Sequence, residues 1–292
     1  MSGSSTKREK ITRRINRYVG SEAPLRQLAG DLSKTAKYAI NEAETLSLER
    51  IDVAIDALPK RLEGFRIVHL SDLHHSPFTS LEHITNAIDA ANTLDADLAV
   101  LTGDYVSHDA AYIGPVAEAV GSLNARFGRF ACLGNHDHWT DPDMVTRELE
   151  AAGVNVLVNH GLRVDADGAS FWLGGVDDHT VGKVDLAAAL RGSFPDEMKV
   201  LLAHNPIIFR HAVRARVDLT LSGHTHGGQV KVRDPEKRIL PRRRRRLSSG
   251  LHKRKDSQIY ITRGIGTVVL PVRFQCPPEI SLLTLHCGET KS

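Results

Sequence analysis

Five short apolar runs in this chain each stop at a cluster of Asp, Asn and His. Leu70 leads into Ser71-Asp72-Leu73-His74, Thr102 into Gly103-Asp104, and Leu133 into Gly134-Asn135-His136-Asp137. Ala203 leads into His204-Asn205, and Leu221 into Ser222-Gly223-His224-Thr225-His226. Short runs rich in Val, Ile and Leu read as buried strands. Helical patterns separate the first three, at Glu82–Leu94 and Ala111–Leu123. Strand, helix, strand, helix, strand is the signature of a parallel sheet, so the chain is expected to be α/β. Such sheets bind ligands outside the carboxyl ends of their strands. One Asn-His pair after a strand is ordinary turn chemistry; the same device at five strand ends marks a site.

The remaining pattern extends this frame. Leu48–Ile55 reads as a strand before the first of the five, and Asp141–Ala152 as a helix with Asp141 as N-cap and Gly153 beyond its end. Further strands are expected at Val154–Val158, Ser170–Leu173, Lys199–Ala203, Asp218–Leu221, Ile259–Thr262 and Ile280–Leu285, with helices at Val184–Leu190 and Pro206–Val213. Two sheets accommodate this count better than one. Residues 1–47 are expected to form a separate arm, and 48–292 the catalytic body. In the arm, residues 1–6 are expected to be disordered and 7–19 helical. Leu25, Leu28, Leu32, Ala36, Ala39, Ala43 and Leu46 then form one helical stripe. The stripe either packs on the body or a second copy, or lies on an anionic membrane surface.

Charge is unevenly placed. Residues 1–20 carry +5 and residues 237–255 carry +10, which leaves −12 for the rest of a chain whose net charge is +3. An acidic body with two basic appendages points to a localised anionic partner. The three cysteines have neither redox nor zinc spacing, which favours a reducing compartment. No stretch approaches the roughly 20 apolar residues of a membrane span, and no apolar region follows Arg13-Arg14 as an export signal requires. The expected location is cytoplasmic, with peripheral attachment to the inner face of the cell membrane.

Asp, Asn and His without thiolates form a nitrogen and oxygen ligand set suited to Mn, Fe or Zn. Residues two apart in an extended segment point the same way, so Asp72 with His74, and His224 with His226, would each place two side chains in one crevice. There are too many such residues for one metal. Two metals about 3.5–4 Å apart that share a carboxylate would use them all.

The ordered set D-x-H, G-D, G-N-H-D, H and G-H-x-H, at residues 72–74, 103–104, 134–137, 204 and 223–226, resembles that of the calcineurin-like binuclear metallophosphoesterases. Three further stretches resemble a bacterial subfamily often tethered to membranes: Ala203-His204-Asn205-Pro206, Gly223 to Gln229, and Arg263-Gly264-Ile265-Gly266-Thr267 with Arg273 to Ile280. Some members of that group resemble enzymes that cleave the pyrophosphate of a UDP-2,3-diacylglucosamine. The resemblance implies a four-layer α/β/β/α sandwich with two mixed sheets. It implies one cation on Asp72, His74, Asp104 and His226, and a second on Asp104, Asn135, His204 and His224. Two divalent ions are implied, Mn first, with Fe or Zn as alternatives. His136 is left as a general acid or transition-state donor, and Asp137 as the group that fixes its tautomer.

The expected activity is metal-dependent hydrolysis of a phosphodiester or pyrophosphate by hydroxide held between two cations, on a lipid-linked substrate. A soluble phosphomonoesterase or nucleotide phosphodiesterase is the alternative. In a second alternative the Arg242–Arg246 run grips nucleic acid, which the full ligand set argues against. Four other places have plainer readings. His75 reads as an exposed loop histidine, Asp177-Asp178-His179 as a turn with Asx hydrogen bonds, and Cys132 as a core residue. Trp139 either lines the cleft or covers a helix start.

Overall fold

The computed structural model describes residues 34–230 and 247–288. The expected helix over 7–19, the start of the apolar stripe and the Arg242–Arg246 run lie outside those residues. Helix α1 spans 34–44. The first sheet takes β1 (Ser47–Ile55), β2 (Arg66–Leu70), β3 (Leu98–Thr102), β4 (Arg129–Cys132), β5 (Asn155–Val156) and β12 (Glu279–Cys287). The second takes β6 (His160–Ala166), β7 (Ala169–Gly175), β8 (Lys199–Leu202), β9 (Leu219–Ser222), β10 (Gly250–Arg254) and β11 (Ser257–Ile261). The helices between them are α2 (Leu81–Asn92), α3 (Ile113–Gly121), α4 (Asn135–Thr140), α5 (Pro142–Ala151), α6 (Leu186–Ala189) and α7 (Phe209–Arg214).

The sheet orders are β1-β12-β2-β3-β4-β5 and β10-β11-β9-β8-β7-β6. Both are mixed. In the first, β12 is parallel to β1 and antiparallel to β2; in the second, β6 and β10 are antiparallel edge strands on a parallel centre. The strands alternate their faces with period two. Ile67, Val100, Leu283 and Leu285 of the first sheet meet Phe171, Leu173, Val200, Leu202 and Leu221 of the second in one buried core. Val68, Leu70, Ala99 and Leu101 face the other way, onto Ile84 and Ile88 of α2, Val116 and Val120 of α3, and Val145 and Leu149 of α5. Beyond the second sheet, Leu201, Ala203, Ile259 and Ile261 pack on Ala189 of α6 and on Phe209 and Ala212 of α7. The layers therefore run α/β/β/α, with two mixed sheets as expected.

Local chemistry explains the long helices. Ser80 caps α2 by accepting the His83 N–H at 3.1 Å, and Asp141 caps α5 by accepting the Met144 N–H at 2.9 Å, with Pro142 as its first residue. Edge strands β6 and β10 were not expected from the apolar pattern, because both are mixed in character. Their turns carry the signal. Asp167 and Gly168 both have positive φ, +49° and +76°, as a two-residue turn between β6 and β7 requires.

Helix α1 is seated on the body. Ala39 and Ala43 of the expected stripe are buried, and Tyr38 meets Phe274 edge-on at 5.7 Å. Among the described residues, no helix is long and apolar enough to cross a membrane.

Candidate metal centre

The carboxyl ends of β2, β3 and β4 in one sheet and of β8 and β9 in the other converge on one place. His204 crosses between the sheets: its Nδ1 lies 2.7 Å from the carbonyl oxygen of Thr102, at the end of β3. The ligand-type residues are not extended. Asp72, His74, Asp104, His224 and His226 all have φ between +48° and +68°. Each such residue costs of order 1–3 kcal/mol unless its surroundings hold it. The main chain does so here. The N–H of Asp72 donates to Gly103 O at 2.9 Å, and that of His74 to Asp104 O at 3.0 Å. The His224 N–H donates to both Asp72 carboxylate oxygens, at 3.0 and 3.1 Å. Gly134 and Gly223 allow the close approach. A methyl group on Gly134 would stand 2.2 Å from Asp104 Oδ1, and one on Gly223 2.2 Å from Asp72 Oδ2.

The left-handed backbone corrects the expectation of an extended segment at His224 and His226, although both still enter one crevice. They diverge into two halves of the site. His226 Nε2 lies 3.1 Å from His74 Nε2 and 3.3 Å from Asp72 Oδ1. His224 Nδ1 lies 3.1 Å from His204 Nε2 and 3.0 Å from Asn135 Oδ1. Asp104 sits between the halves, with Oδ2 3.5 Å from His74 Nε2 and 3.1 Å from His204 Nε2. Asp72, His74 and His226 form one group able to hold a metal ion, and Asp104, His204 and His224 another.

The donor set fits a cation. His204 Nδ1 must carry a hydrogen to meet the Thr102 carbonyl, which leaves Nε2 of the neutral ring as a lone pair. That lone pair faces Asp104 Oδ2, Asn135 Oδ1 at 3.2 Å and His224 Nδ1. Acceptors packed this closely and this deeply need a positive charge among them. Across the site, His226 Nδ1 is buried with no partner.

The protonation equilibria express the same demand. Burial alone would lower the His204 ring, but the Asp104 and Asp72 carboxylates outweigh it and raise the ring to about 10. Burial would raise Asp104, yet His204 and His74 hold it at about 2. Burial would also raise Asp72, and its contacts with His226, His204 and His74 keep it far below the usual carboxylate range. Burial lowers His74 to about 3 and also lowers His224.

His136 and Asp137 come to the same place, but not as partners. Asp137 Oδ2 accepts the N–H groups of Gly134 and Asp104 and Oδ1 that of Tyr105, each at 2.8 Å. It clamps two ligand loops together, while burial and the Asp104 charge push it up to about 7. The His136 ring is oriented instead by the Ser107 carbonyl, 2.9 Å from Nδ1. The expectation that Asp137 fixes the His136 tautomer is therefore corrected. One His136 ring nitrogen lies within 4.8 Å of ligand atoms of His74 and Asp104. Trp139 is 55% exposed, and its ring meets His136 edge-on at 4.7 Å. The cleft has a volume of about 280 Å³ and is lined by Asp104, Asn135, His136, His224 and His226 together with Gln229 and Val268.

Elsewhere, His75 is buried rather than exposed, with Nδ1 3.1 Å from Tyr112 O. Asp177 and Asp178 are held in turns by their own side chains: Asp178 Oδ1 accepts the Thr180 and Val181 N–H groups. Asp177 Oδ1 also lies 2.7 Å from His138 Nε2, which ties the 177–183 loop to α4. Cys132 is a core residue, and burial pushes its thiol well up. Ser107 and Thr102 are the functional residues that sequence reasoning missed. Both act partly through main-chain oxygens, which every residue type carries.

A cation can bind His204 only after the ring loses the proton that its carboxylate neighbours hold on it, so metal loading should release about one proton per chain at pH 8. Calorimetry of Mn²⁺ binding in buffers of different ionisation heat measures this. The heat should vary with the buffer; a buffer-independent heat contradicts the account of His204.

The sequence matches the calcineurin-like phosphoesterase family over residues 65–228. It is 33% identical over 232 residues to YkuE, an uncharacterized metallophosphoesterase of Bacillus subtilis, covering 78% of this chain and 81% of that protein. It is 32% identical over 225 residues to the phosphodiesterase YaeI of Escherichia coli, covering 76% and 82%. A transmembrane protein with metallophosphoesterase domain from Bos taurus is 30% identical over 266 residues, which are 85% of this chain but 59% of that protein.

Proposed function

We propose, from the premise that this chain belongs to the calcineurin-like phosphoesterase family and is a metal-dependent phosphoester hydrolase, that it cleaves a phosphodiester or pyrophosphate bond with two divalent cations, Mn²⁺ first among them. Asp72, His74, Asp104 and His226 would hold one cation, and Asp104, Asn135, His204 and His224 the other. The single observation that carries this reading is the packing of His204 Nε2 against Asp104 Oδ2, Asn135 Oδ1 and His224 Nδ1 within 3.2 Å. When bound, such a pair of cations polarises the phosphoryl oxygens and activates water near neutral pH.

The chain's own residues do the rest. The Thr102 carbonyl keeps His204 Nε2 free for a cation, and Asp104 reaches both halves. His136 holds a hydrogen on Nδ1 against Ser107, so Nε2 is the atom that would protonate the leaving oxygen. Trp139 packs edge-on against the His136 ring, and Val268 lines the cleft.

The substrate we favour is amphiphilic and lipid-linked, met at the cytoplasmic face of the membrane. Large apolar side chains stand exposed near the cleft, among them Trp139, Val230 and Val269. Val230 leads directly into residues 231–246, which contain nine Lys or Arg. Each such cation near an anionic lipid surface contributes about 1 kcal/mol.

Metal dependence is tested by hydrolysis of bis-p-nitrophenyl phosphate after chelation and metal add-back. Activity should vanish and return best with Mn²⁺. Asp104→Asn should cost more than the roughly 10–100-fold typical of outer-shell changes. Full activity in metal-free protein contradicts the proposal. For His136→Asn, both metals should remain while kcat falls about 10²–10⁴-fold, less for a good leaving group such as p-nitrophenolate. Loss of a metal on this substitution would remove His136 from the acid's role. The lipid reading is tested by sedimentation with anionic and neutral vesicles at low and high salt, comparing the parent with a chain carrying Ser at 242–246. Binding should be confined to anionic vesicles at low salt and weaken in the variant. If neither protein binds, a soluble nucleotide or phosphodiester becomes the leading substrate.

A further inference from the structure

The Asp72–His226 half of the centre leans on residues 263–276, none of which belongs to the ligand set. Arg273 is fully buried, and its hydrogen bonds go to main-chain carbonyls. Nη1 donates to Cys276 O at 3.1 Å, and Nη2 to the carbonyls of Arg263, Gly264 and Gly266 at 2.9, 3.1 and 2.6 Å. Burial lowers its pKa to about 10, so the side chain stays charged at neutral pH. A fixed cation among four carbonyl oxygens draws residues 263–266 into a tight turn.

That turn is bonded to the ligand loop. Ile265 N–H donates to Ser71 O at 3.0 Å, and Gly266 N–H to Asp72 O at 2.7 Å. Gly264, at φ +71°, approaches so closely that a methyl group there would stand 2.6 Å from Asp72 Cβ. The same segment reaches His226 from behind, where the buried Cys276 thiol donates to His226 O at 3.2 Å. Helix α1 clamps the segment in turn. Glu42 accepts the N–H groups of Gln275 and Cys276 at 2.8 and 3.0 Å, and Arg273 N–H donates to Ala39 O at 2.8 Å. The other half shares one link with this one, the His224 N–H on the Asp72 carboxylate, and is otherwise held differently: Asp104 by Asp137 and the His136 N–H, and His204 by Thr102.

We infer that residues 273–276, clamped by Glu42, are positioning residues for the Asp72–His74–His226 half of the metal centre and not for the Asp104–Asn135–His204–His224 half. The inference rests on the two-cation reading above. It also gives α1 a role: the described end of the amino-terminal arm is part of the scaffold of one metal position. Outer-shell partners of metal ligands typically change affinity about 10–100-fold, and here that loss should fall on one cation of the two.

The test is Mn²⁺ binding by calorimetry, with metal content after gel filtration, on the full chain and on Glu42→Ala, Arg273→Met and Arg273→Lys. The parent should bind two Mn²⁺. Glu42→Ala and Arg273→Met should each weaken one site about tenfold or more and leave the other at parent affinity, and Arg273→Lys should restore part of the loss. Thermal unfolding by circular dichroism reports whether each variant is folded; if Arg273→Met is not, Glu42→Ala decides. Two sites of parent affinity in folded Glu42→Ala overturn the inference, as does equal weakening of both. A parent that binds fewer than two Mn²⁺ overturns the two-cation reading itself, and the inference with it.

Discussion

A hydrogen bond of 2.7 Å from His204 Nδ1 to the Thr102 carbonyl joins the two sheets at the floor of the site. It sets which nitrogen of His204 faces inward, and so turns a strand-end histidine into an acceptor pointed at Asp104, Asn135 and His224. The sandwich makes that bond possible. Its two sheets meet over the core of Ile67, Val100, Leu202 and Leu221, which brings the ends of β3 and β8 within reach. Thr102 is held from its other side as well, since its hydroxyl lies 2.8 Å from Nε2 of the buried His69. Burial keeps that ring neutral, at about 3.

The rest of the site is backbone strain held in place by backbone bonds. Five ligand-type residues occupy the left-handed region, and each leaves its strand by turning sharply rather than by continuing it. Asp137 shows how such loops are held. Its carboxylate sits beneath two of them and accepts three N–H groups, which fixes Asp104 and the start of α4 in one frame. Arg273 does the inverse, a cation gathering carbonyls behind Asp72. Both side chains are buried and bonded to main chain, and they brace the two sides of one centre, although Arg273 Nε has no partner.

Much of this was legible in the chain. Asp, Asn and His are nitrogen and oxygen donors, and a parallel sheet presents such groups at strand ends, so Asp72, His74, Asp104, Asn135, His204, His224 and His226, which the structure gathers in one place, could be singled out by residue type and place. What could not be read has physical reasons. Thr102 and Ser107 act partly through carbonyl oxygens, which leave no mark on residue identity. Arg273 lies in a stretch that the resemblance marks, but its burial and its carbonyl partners leave no mark on the sequence, and Asp137 looked like a partner for His136 because they adjoin in sequence. Edge strands β6 and β10 lack a clean apolar alternation because they close the ends of their sheet. The resemblance implied that His224 and His226 divide between two cations, but the left-handed backbone that turns them apart is a property that no apolar pattern encodes.

The central claim is that the acceptors around Asp104 are gathered for two cations that share its carboxylate. Diffraction from Mn²⁺-loaded crystals, recorded at the manganese absorption edge, tests it directly. Two anomalous peaks should flank Asp104, about 3.5–4 Å apart as in other two-metal sites, one against Asp72, His74 and His226 and the other against Asn135, His204 and His224. A single peak, or two peaks of which one does not touch Asp104, would contradict the claim.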